Sequence, residues 1–404
     1  MSSRIVIVAG AGIGGLTAAL ALARNGFRVT VLEQADRLEE TGAGIQLSPN
    51  AARTLIDLGL EERLLPYAVP VSALRVLSAR SGNEIIRLPL GEAAAQRYGA
   101  PYWVIHRGDL QAALLDAVYR QLDITIKLGM RLEDFVTHPK GITVSARTRI
   151  GLADERGLAL LAADGLWSRG RALVGHATSP RFAGRIAWRA LVPAKQVAPE
   201  FREPLIHLWL GRNSHLVHYP VKAGRVINVV AITAGSRPTP GPGWSEPAGR
   251  GELMSILAAE RWAPPALGLI GLPDAWLTWA LYECPPLRRW SRGAAALIGD
   301  AAHPMLPYLA QGGAMAIEDA AVAAQCLART PQDATAALRT YCAMRRGRAR
   351  KVQRQSARNG TRYHLGGIAA ALRDAAMRTL GGARLLHHYD WLYDWRPPAG
   401  FSIG

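Results

Sequence analysis

The chain has 404 residues, long enough for two domains with full cores. With 49% apolar and 20% charged residues it is neither disordered nor fibrous. The formal charge of +17 is carried almost wholly by arginine in an alanine- and glycine-rich chain, a pattern that points to GC-rich coding before it points to nucleic acid or a membrane surface. No apolar run reaches the roughly 18 residues of a membrane span, and a strand begins almost at once, with no leader pattern. Cys284, Cys326 and Cys342 have neither metal-ligand nor CxxC spacing. A cytoplasmic protein with free thiols and no metal is expected.

Arg4 to Ala9 reads as an apolar strand, followed by Gly10-Ala11-Gly12-Ile13-Gly14-Gly15, a GxGxxG run. A helix to Arg24 and a second strand, Phe27 to Leu32, ending at Glu33, complete the order of a dinucleotide βαβ unit. In such a unit Gly10 makes the turn, Gly12 admits a pyrophosphate and Gly15 lets helix and strand pack. Glu33 accepts from a ribose hydroxyl and disfavours a 2′-phosphate. Thr41 to Leu47 is expected to be a flexible glycine loop, and Ala51 to Leu58 a helix. Val71 to Ser78 and Glu84 to Leu88 are predicted strands around a Ser81-Gly82-Asn83 turn. In His106-Arg107-Gly108-Asp109 the aspartate is expected to cap a helix over 110–121. That leaves Arg107 open to two readings, a phosphate ligand or a surface arginine. The predicted strand Leu158 to Ala162 runs into Asp164-Gly165-Leu166-Trp167-Ser168-Arg169-Gly170-Arg171.

From about residue 180 the pattern becomes that of an antiparallel sheet, with predicted strands at 186–192, 206–210, 215–221, 225–232 and 275–284, and a Pro/Gly loop from Pro238 to Pro247. Within it, period-two alternation puts His215, Val217 and Tyr219 on one face and Leu216 and His218 on the other. His215 and Tyr219 are either a proton-handling pair or ordinary half-buried sheet residues. A short strand, Ala294 to Ile298, then meets Gly299-Asp300, two prolines, and Gly312-Gly313 opening a small-residue helix. A carboxylate at a strand end and the free N–H groups of a glycine-led helix start suit a ligand site. Helix is predicted from there to about residue 380. The basic cluster Arg345, Arg346, Arg348, Arg350, Lys351 and Arg354 has no interleaved aromatics and is expected to be a solvated helix face. The aromatic tail, Tyr389 to Pro397, is expected to pack back on the body.

GxGxxG with Glu33, Asp164-Gly165-x-x-Ser168-x-x-Arg171, and Gly299-Asp300 with the wording GDAAHPMLPYLAQGGAMAIEDA together resemble the group A flavoprotein monooxygenases, the FAD-dependent aromatic hydroxylases. The wording is most similar to the salicylate hydroxylase, 3-hydroxybenzoate 6-hydroxylase and 6-hydroxynicotinate 3-monooxygenase branch. That resemblance implies a fold of class α/β + β: a Rossmann-like FAD-binding domain of GR2 type (residues 1–67, 101–178 and 286–330), an inserted antiparallel-sheet substrate domain (68–100 and 179–285) and C-terminal helices (331–404). It implies FAD contacts at Gly10, Gly12, Gly14, Gly15, Glu33, Gln34, Gly44, Ile45, Arg107, Leu132, Asp164, Gly165, Asp300, Gly312 and Gly313. It implies NADH or NADPH as co-substrate, O2, and a small phenolic or N-heteroaromatic substrate, an aromatic carboxylate, hydroxylated through a flavin C4a-hydroperoxide. His215 and Tyr219 match a proton-handling pair in one branch, and His218 is a rival from another. Gln46 stands where some relatives have a histidine and cannot be a base. Arg189 is a candidate carboxylate partner. No nucleic acid or membrane partner is expected, and the state is monomer or homodimer. The Trp-x-Trp motif of flavin halogenases is absent, since Trp276 and Trp279 have the wrong spacing, and so is the CxxC of disulfide reductases. A basic flavin-binding redox sensor and a same-fold enzyme for urate or epoxidation are the alternatives.

Overall fold

The computed structural model describes residues 4–38, 43–176, 179–236 and 246–397. Thr41 and Gly42 of the predicted glycine loop, and 238–245 of the Pro/Gly loop, lie outside the described residues.

The run Ile5–Ala9 is β-branched and apolar on both faces, as a strand covered on two sides must be. It sits inside a six-stranded sheet of order Ser291–Arg292, Ala295–Leu297, Ala159–Ala162, Ile5–Ala9, Arg28–Leu32, Ile124–Lys127. All its pairings are parallel except the small hairpin between 291 and 297. The strands ending at Ala9, Ala162 and Leu297 are neighbours and run the same way. The three glycine motifs that follow them therefore emerge side by side at one sheet edge, although almost 300 residues separate the first from the last. Helices Ile13–Arg24 and Gly312–Arg329 pack together above that edge. They approach closely because Gly14 has no side chain: a Cβ there would stand 3.1 Å from the Ala316 Cβ.

The second large sheet has eight strands, in the order Glu246–Gly249, Ala275–Glu283, Arg181–Pro193, Val226–Ala234, His215–Val221, Leu205–Leu210, Ala73–Ser78, Glu84–Pro89. It is antiparallel except where Leu205–Leu210 runs parallel to Ala73–Ser78. Alternation sorts its side chains cleanly. Trp188, Trp209, Leu216, Val229 and Ala231 enter a core closed by helices Arg250–Ala259 and Pro264–Ile270. Ala187, His215, Val217, Tyr219, Val230 and Ile232 face the other way, into a cavity.

Several elements differ from their sequence expectation. Gly44–Leu47, read as flexible loop, is a strand antiparallel to Trp103–His106. The helix expected from residue 110 begins at Arg107 with His106 as its cap, so Asp109 lies in its first turn and is not the cap. Arg131–His138, Gly141–Thr148 and Gly151–Gly157 form a three-stranded antiparallel sheet. Its outer strands carry too many charges to read as strands. The stretch predicted as helical to about residue 380 is three helices, parted at 330–333, where the Asp333 side chain caps Ala334–Tyr363, and again before Gly367–Leu380. The basic cluster is not a uniformly solvated face. Arg345 is fully buried against Glu318 (2.6 Å) and Asp319 (2.7 Å), and Arg348 pairs with Glu318 (2.7 Å). The missing aromatics come from the tail, where Arg345 and Arg348 stack on Trp395 and Lys351 on Trp391.

Candidate functional site

A cavity of about 380 Å³ lies between the carboxyl edge of the parallel sheet and the open face of the eight-stranded sheet. Its floor is backbone. Gly10 takes φ +105°, and a Cβ on it would stand 2.5 Å from the Ala163 carbonyl oxygen; on Gly15 it would stand 1.9 Å from the Gly10 carbonyl oxygen. These two glycines are steric necessities of the turn and do not line the cavity. Gly12 differs, since a Cβ there would meet nothing within 4 Å. Its open side faces the cavity at the start of a helix, where N–H groups and the dipole favour a phosphate. Glu33 accepts hydrogen bonds from the amides of Ala11 (2.7 Å) and Ala35 (2.8 Å), so it also ties the glycine turn to the second strand. Gln34 is exposed beside it. Leu132 is buried in the core under the three-stranded sheet, and neither it nor Gln34 lines the cavity.

Asp164 likewise turns inward. It accepts from Ser168 Oγ (2.5 Å) and the Gly170 amide (2.8 Å), and burial raises its carboxyl above the ordinary value. Gly165 alone of that pair borders the cavity. Arg171 of the same motif is buried and donates to the carbonyls of Leu166 (2.7 Å), Asp300 (2.6 Å) and Ala301 (2.9 Å). One motif thus fixes the backbone of the next. Asp300 is exposed and faces the cavity beside Gly312 and Gly313, whose amides have no acceptor within their own helix. Ile45 presses on Gly313, where a Cβ would stand 2.7 Å from the Ile45 Cδ1. Behind this helix start is a buried polar network that sequence reasoning did not find. Gln311 Nε2 donates to Ser48 Oγ (2.8 Å), and Asn50 Nδ2 donates to Gln311 Oε1 (3.1 Å) and Glu318 Oε1 (2.6 Å). It locks the Gly44–Leu47 strand to the helix.

The roof is the sheet face. His215, Val217 and Tyr219 all line the cavity, as alternation required. Tyr219 packs on Gly44, where a Cβ would stand 2.5 Å from its ring, and the Gly44 amide donates to Asn228 Oδ1 (2.7 Å). Burial pushes the Tyr219 hydroxyl well above its ordinary range and holds His215 well below its own. Arg189 borders the cavity with its guanidinium 4.7 Å from the Trp279 ring centroid and its buried Nε without a partner. Burial, with Arg107 nearby, lowers its pKa to about 10, so it stays charged at neutral pH. Arg107 also borders the cavity. Gln46 accepts from Tyr102 Oη (2.8 Å). His218 does not share this place. It points into the opposite core, stacked on His207 at 4.4 Å and enclosed by Phe201 and Trp209, and cannot reach the cavity. The partner that sequence reasoning missed is His364, whose Nε2 lies 2.9 Å from His215 Nδ1 across 149 residues of chain.

The FAD binding domain family matches residues 4–356. The chain belongs to this FAD-binding family. It is 36% identical over 389 residues to 3-hydroxybenzoate 6-hydroxylase 1 of Aquipseudomonas alcaligenes, covering 96% of this chain and 97% of the relative. It is 37% identical over 391 residues to 3-amino-4-hydroxybenzoate 2-monooxygenase PtmB3 of Streptomyces platensis, covering 96% and 95%. A solved salicylate hydroxylase substrate complex superposes with TM-score 0.83 at 25% identity, covering 100% of this chain and 98% of that one. The protein is an FAD-dependent monooxygenase with NAD(P)H as co-substrate. The open cradle at Gly12, the cavity-facing Asp300 and the glycine-led helix start fit that cofactor. Among the described residues no helix is long and apolar enough to cross a membrane.

Proposed function

We propose that this monooxygenase hydroxylates a small phenolic or N-heteroaromatic ring that bears a carboxylate. The observation that carries this reading is that His215, Val217 and Tyr219, on one face of one strand, roof the same cavity whose floor is the glycine cradle. When bound, FAD supplies hydride acceptance from NAD(P)H and activation of O2 for transfer to the ring. Gly12 and the helix start behind it would hold the pyrophosphate, Glu33 the ribose, Arg107 a phosphate and Asp300 the ribityl hydroxyls. The Gly312 and Gly313 amides at the helix start would favour the negative charge that the cofactor gains on reduction. We assign residues 1–67, 101–178 and 286–330 to the cofactor side and 68–100 and 179–285 to the substrate side; of the C-terminal segment, the described residues from 331 to 397 pack on both.

The substrate lies between. Val217, Val230, Ile232 and Leu306 give it apolar walls that keep out water. His215 accepts the ring hydroxyl proton, and the resulting phenolate is the more electron-rich nucleophile. Tyr219 stays protonated and donates to it. Arg189, the cavity's desolvated cation, takes the carboxylate. We take the working form to be a monomer or homodimer, cytoplasmic and without nucleic acid.

The test is to purify the protein, record bound FAD by its visible spectrum, and follow NADH oxidation and peroxide with salicylate, 3- and 4-hydroxybenzoate, 6-hydroxynicotinate and urate. A carboxylated phenol that speeds oxidation with little peroxide is the expected result. Stimulation by none of the aromatic acids would overturn the substrate reading.

A further inference from the structure

His215 is the basic group at the cavity roof, yet it is badly placed to keep a proton. It is buried, its ring is packed between Tyr308 and Tyr363 at 5.5 Å from each, and among the described residues no carboxylate touches it. Arg185 sits near enough to oppose a second positive charge. A base in such a place works only if the proton moves on. Among the described residues, the one polar contact of the His215 ring is His364 Nε2, 2.9 Å from Nδ1. His364 ends the helix Ala334–Tyr363 and is half-buried, so part of the residue meets solvent.

We infer that His364 is a positioning residue that sets the tautomer of His215 and carries the substrate proton from the cavity to water. This rests on the function proposed above. The contact leaves His215 only Nε2 to offer the substrate. With the shared proton on His215 Nδ1, Nε2 carries a lone pair and is a base; with it on His364 Nε2, Nε2 carries a hydrogen and is not. As the ring O–H breaks, its proton bonds to His215 Nε2. The Nδ1 proton then passes to His364 Nε2, and the His364 Nδ1 proton leaves to water. No electrons change hands and neither imidazole ends charged; both end in the opposite tautomer, and the negative charge stays on the phenolate. Burial holds His215 well below its ordinary value and His364 at about 4, which suits transit and not storage. No other group facing His215 takes this role. Tyr308 and Tyr363 are held protonated by burial, Arg185 is a cation, and Tyr219 occupies a separate place on the strand.

The experiment is a pH jump on the oxidised holoenzyme carrying 3-hydroxy-4-nitrobenzoate, following phenolate absorbance, for wild type, His364→Leu and His364→Gln. Ionisation in both variants should slow by roughly 100-fold, the scale of a lost acid–base group, with ligand affinity within about threefold of wild type, since His364 does not line the cavity. Added imidazole should restore part of the rate in the leucine variant, and the rate deficit should shrink as pH rises. Equal ionisation rates in the three proteins, or slowing that only follows weaker binding, would overturn the relay. If neither variant retains FAD, wild type decides alone: a curved proton inventory in mixed H2O and D2O supports serial transfer, and a linear one rejects it. Binding of no phenol by wild type would instead remove the proposed function on which the relay depends.

Discussion

Gly12 and Gly15 belong to one motif, yet the structure gives them separate jobs. Gly15 is required by the protein itself, because a Cβ would stand 1.9 Å from a backbone oxygen. Gly12 is required only by the ligand, because its Cβ position is empty. Gly15→Val is therefore expected to yield insoluble or unfolded protein. Gly12→Val should leave the melting temperature of the apoprotein close to wild type while weakening FAD binding about 10- to 100-fold, or ~1.4–2.7 kcal/mol. Thermal melts of apoprotein and a fluorescence titration with FAD separate the two. Arg189 allows a similar dissection of the substrate. Arg189→Met keeps much of the packing on Trp279 and removes the charge. It should raise KM for a carboxylated phenol roughly 10- to 100-fold and leave that for an uncharged phenol nearly unchanged. Equal effects on both substrates would assign Arg189 to the cavity wall and not to the carboxylate.

At the scale of elements, the C-terminal helix and tail buttress the cofactor side. Arg345 and Arg348 tie the Ala334–Tyr363 helix to Glu318 and Asp319 on the glycine-led helix. Asp319 also accepts from the Gly299 amide (3.0 Å) and contacts His303 (2.5 Å), so it holds the turn that presents Asp300. Removing one partner of a buried ionic cluster strands the others. Arg345→Met should cost about 3–5 kcal/mol of stability and release FAD on mild heating, read as flavin fluorescence appearing before global unfolding. This cluster is built from contacts that no local stretch of sequence displays. The βαβ start, the strand-end motifs and the two faces of His215–Val221 were legible, because each is a local pattern of glycine, alternation or a carboxylate at a fixed offset. Arg345 looked solvated because its aromatic partner Trp395 is 50 residues away and its acids sit on another helix. His364 was invisible for the same reason, and His218 looked equivalent to His215 because only the sheet's packing tells which face holds the cavity. The strand Gly151–Gly157 was missed because GLADERG is polar on both sides, as an outer strand of a small sheet can be.

Across the whole molecule, the parallel sheet gathers three distant motifs at one edge and the eight-stranded sheet closes over them, so the site exists only when both sheets are intact. Acid should attack that arrangement through its histidines first. His207, His215 and His218 are buried, and burial lowers all three, His207 to about 3. Their folded values lie below the unfolded value of about 6.5, so the unfolded chain takes up protons that the folded chain refuses. Above pH ~6.5 they are neutral in both states and stability does not depend on them. As pH falls below that, each removes up to ~1.4 kcal/mol per pH unit until its own folded value is reached. Glu318 and Asp319, held below their ordinary values by Arg345, Arg348 and His303, act in the same direction but only from about pH 4.5 down. The melting temperature should therefore begin to drop near pH 6.5, about two units above the carboxylate range. His218→Leu, which lies outside the cavity, should reduce that slope by up to one proton's worth while leaving the low-pH step in place. A melting temperature flat from pH 7 to 4.5 would show that these imidazoles find hydrogen-bond partners or water that stabilise their charged forms.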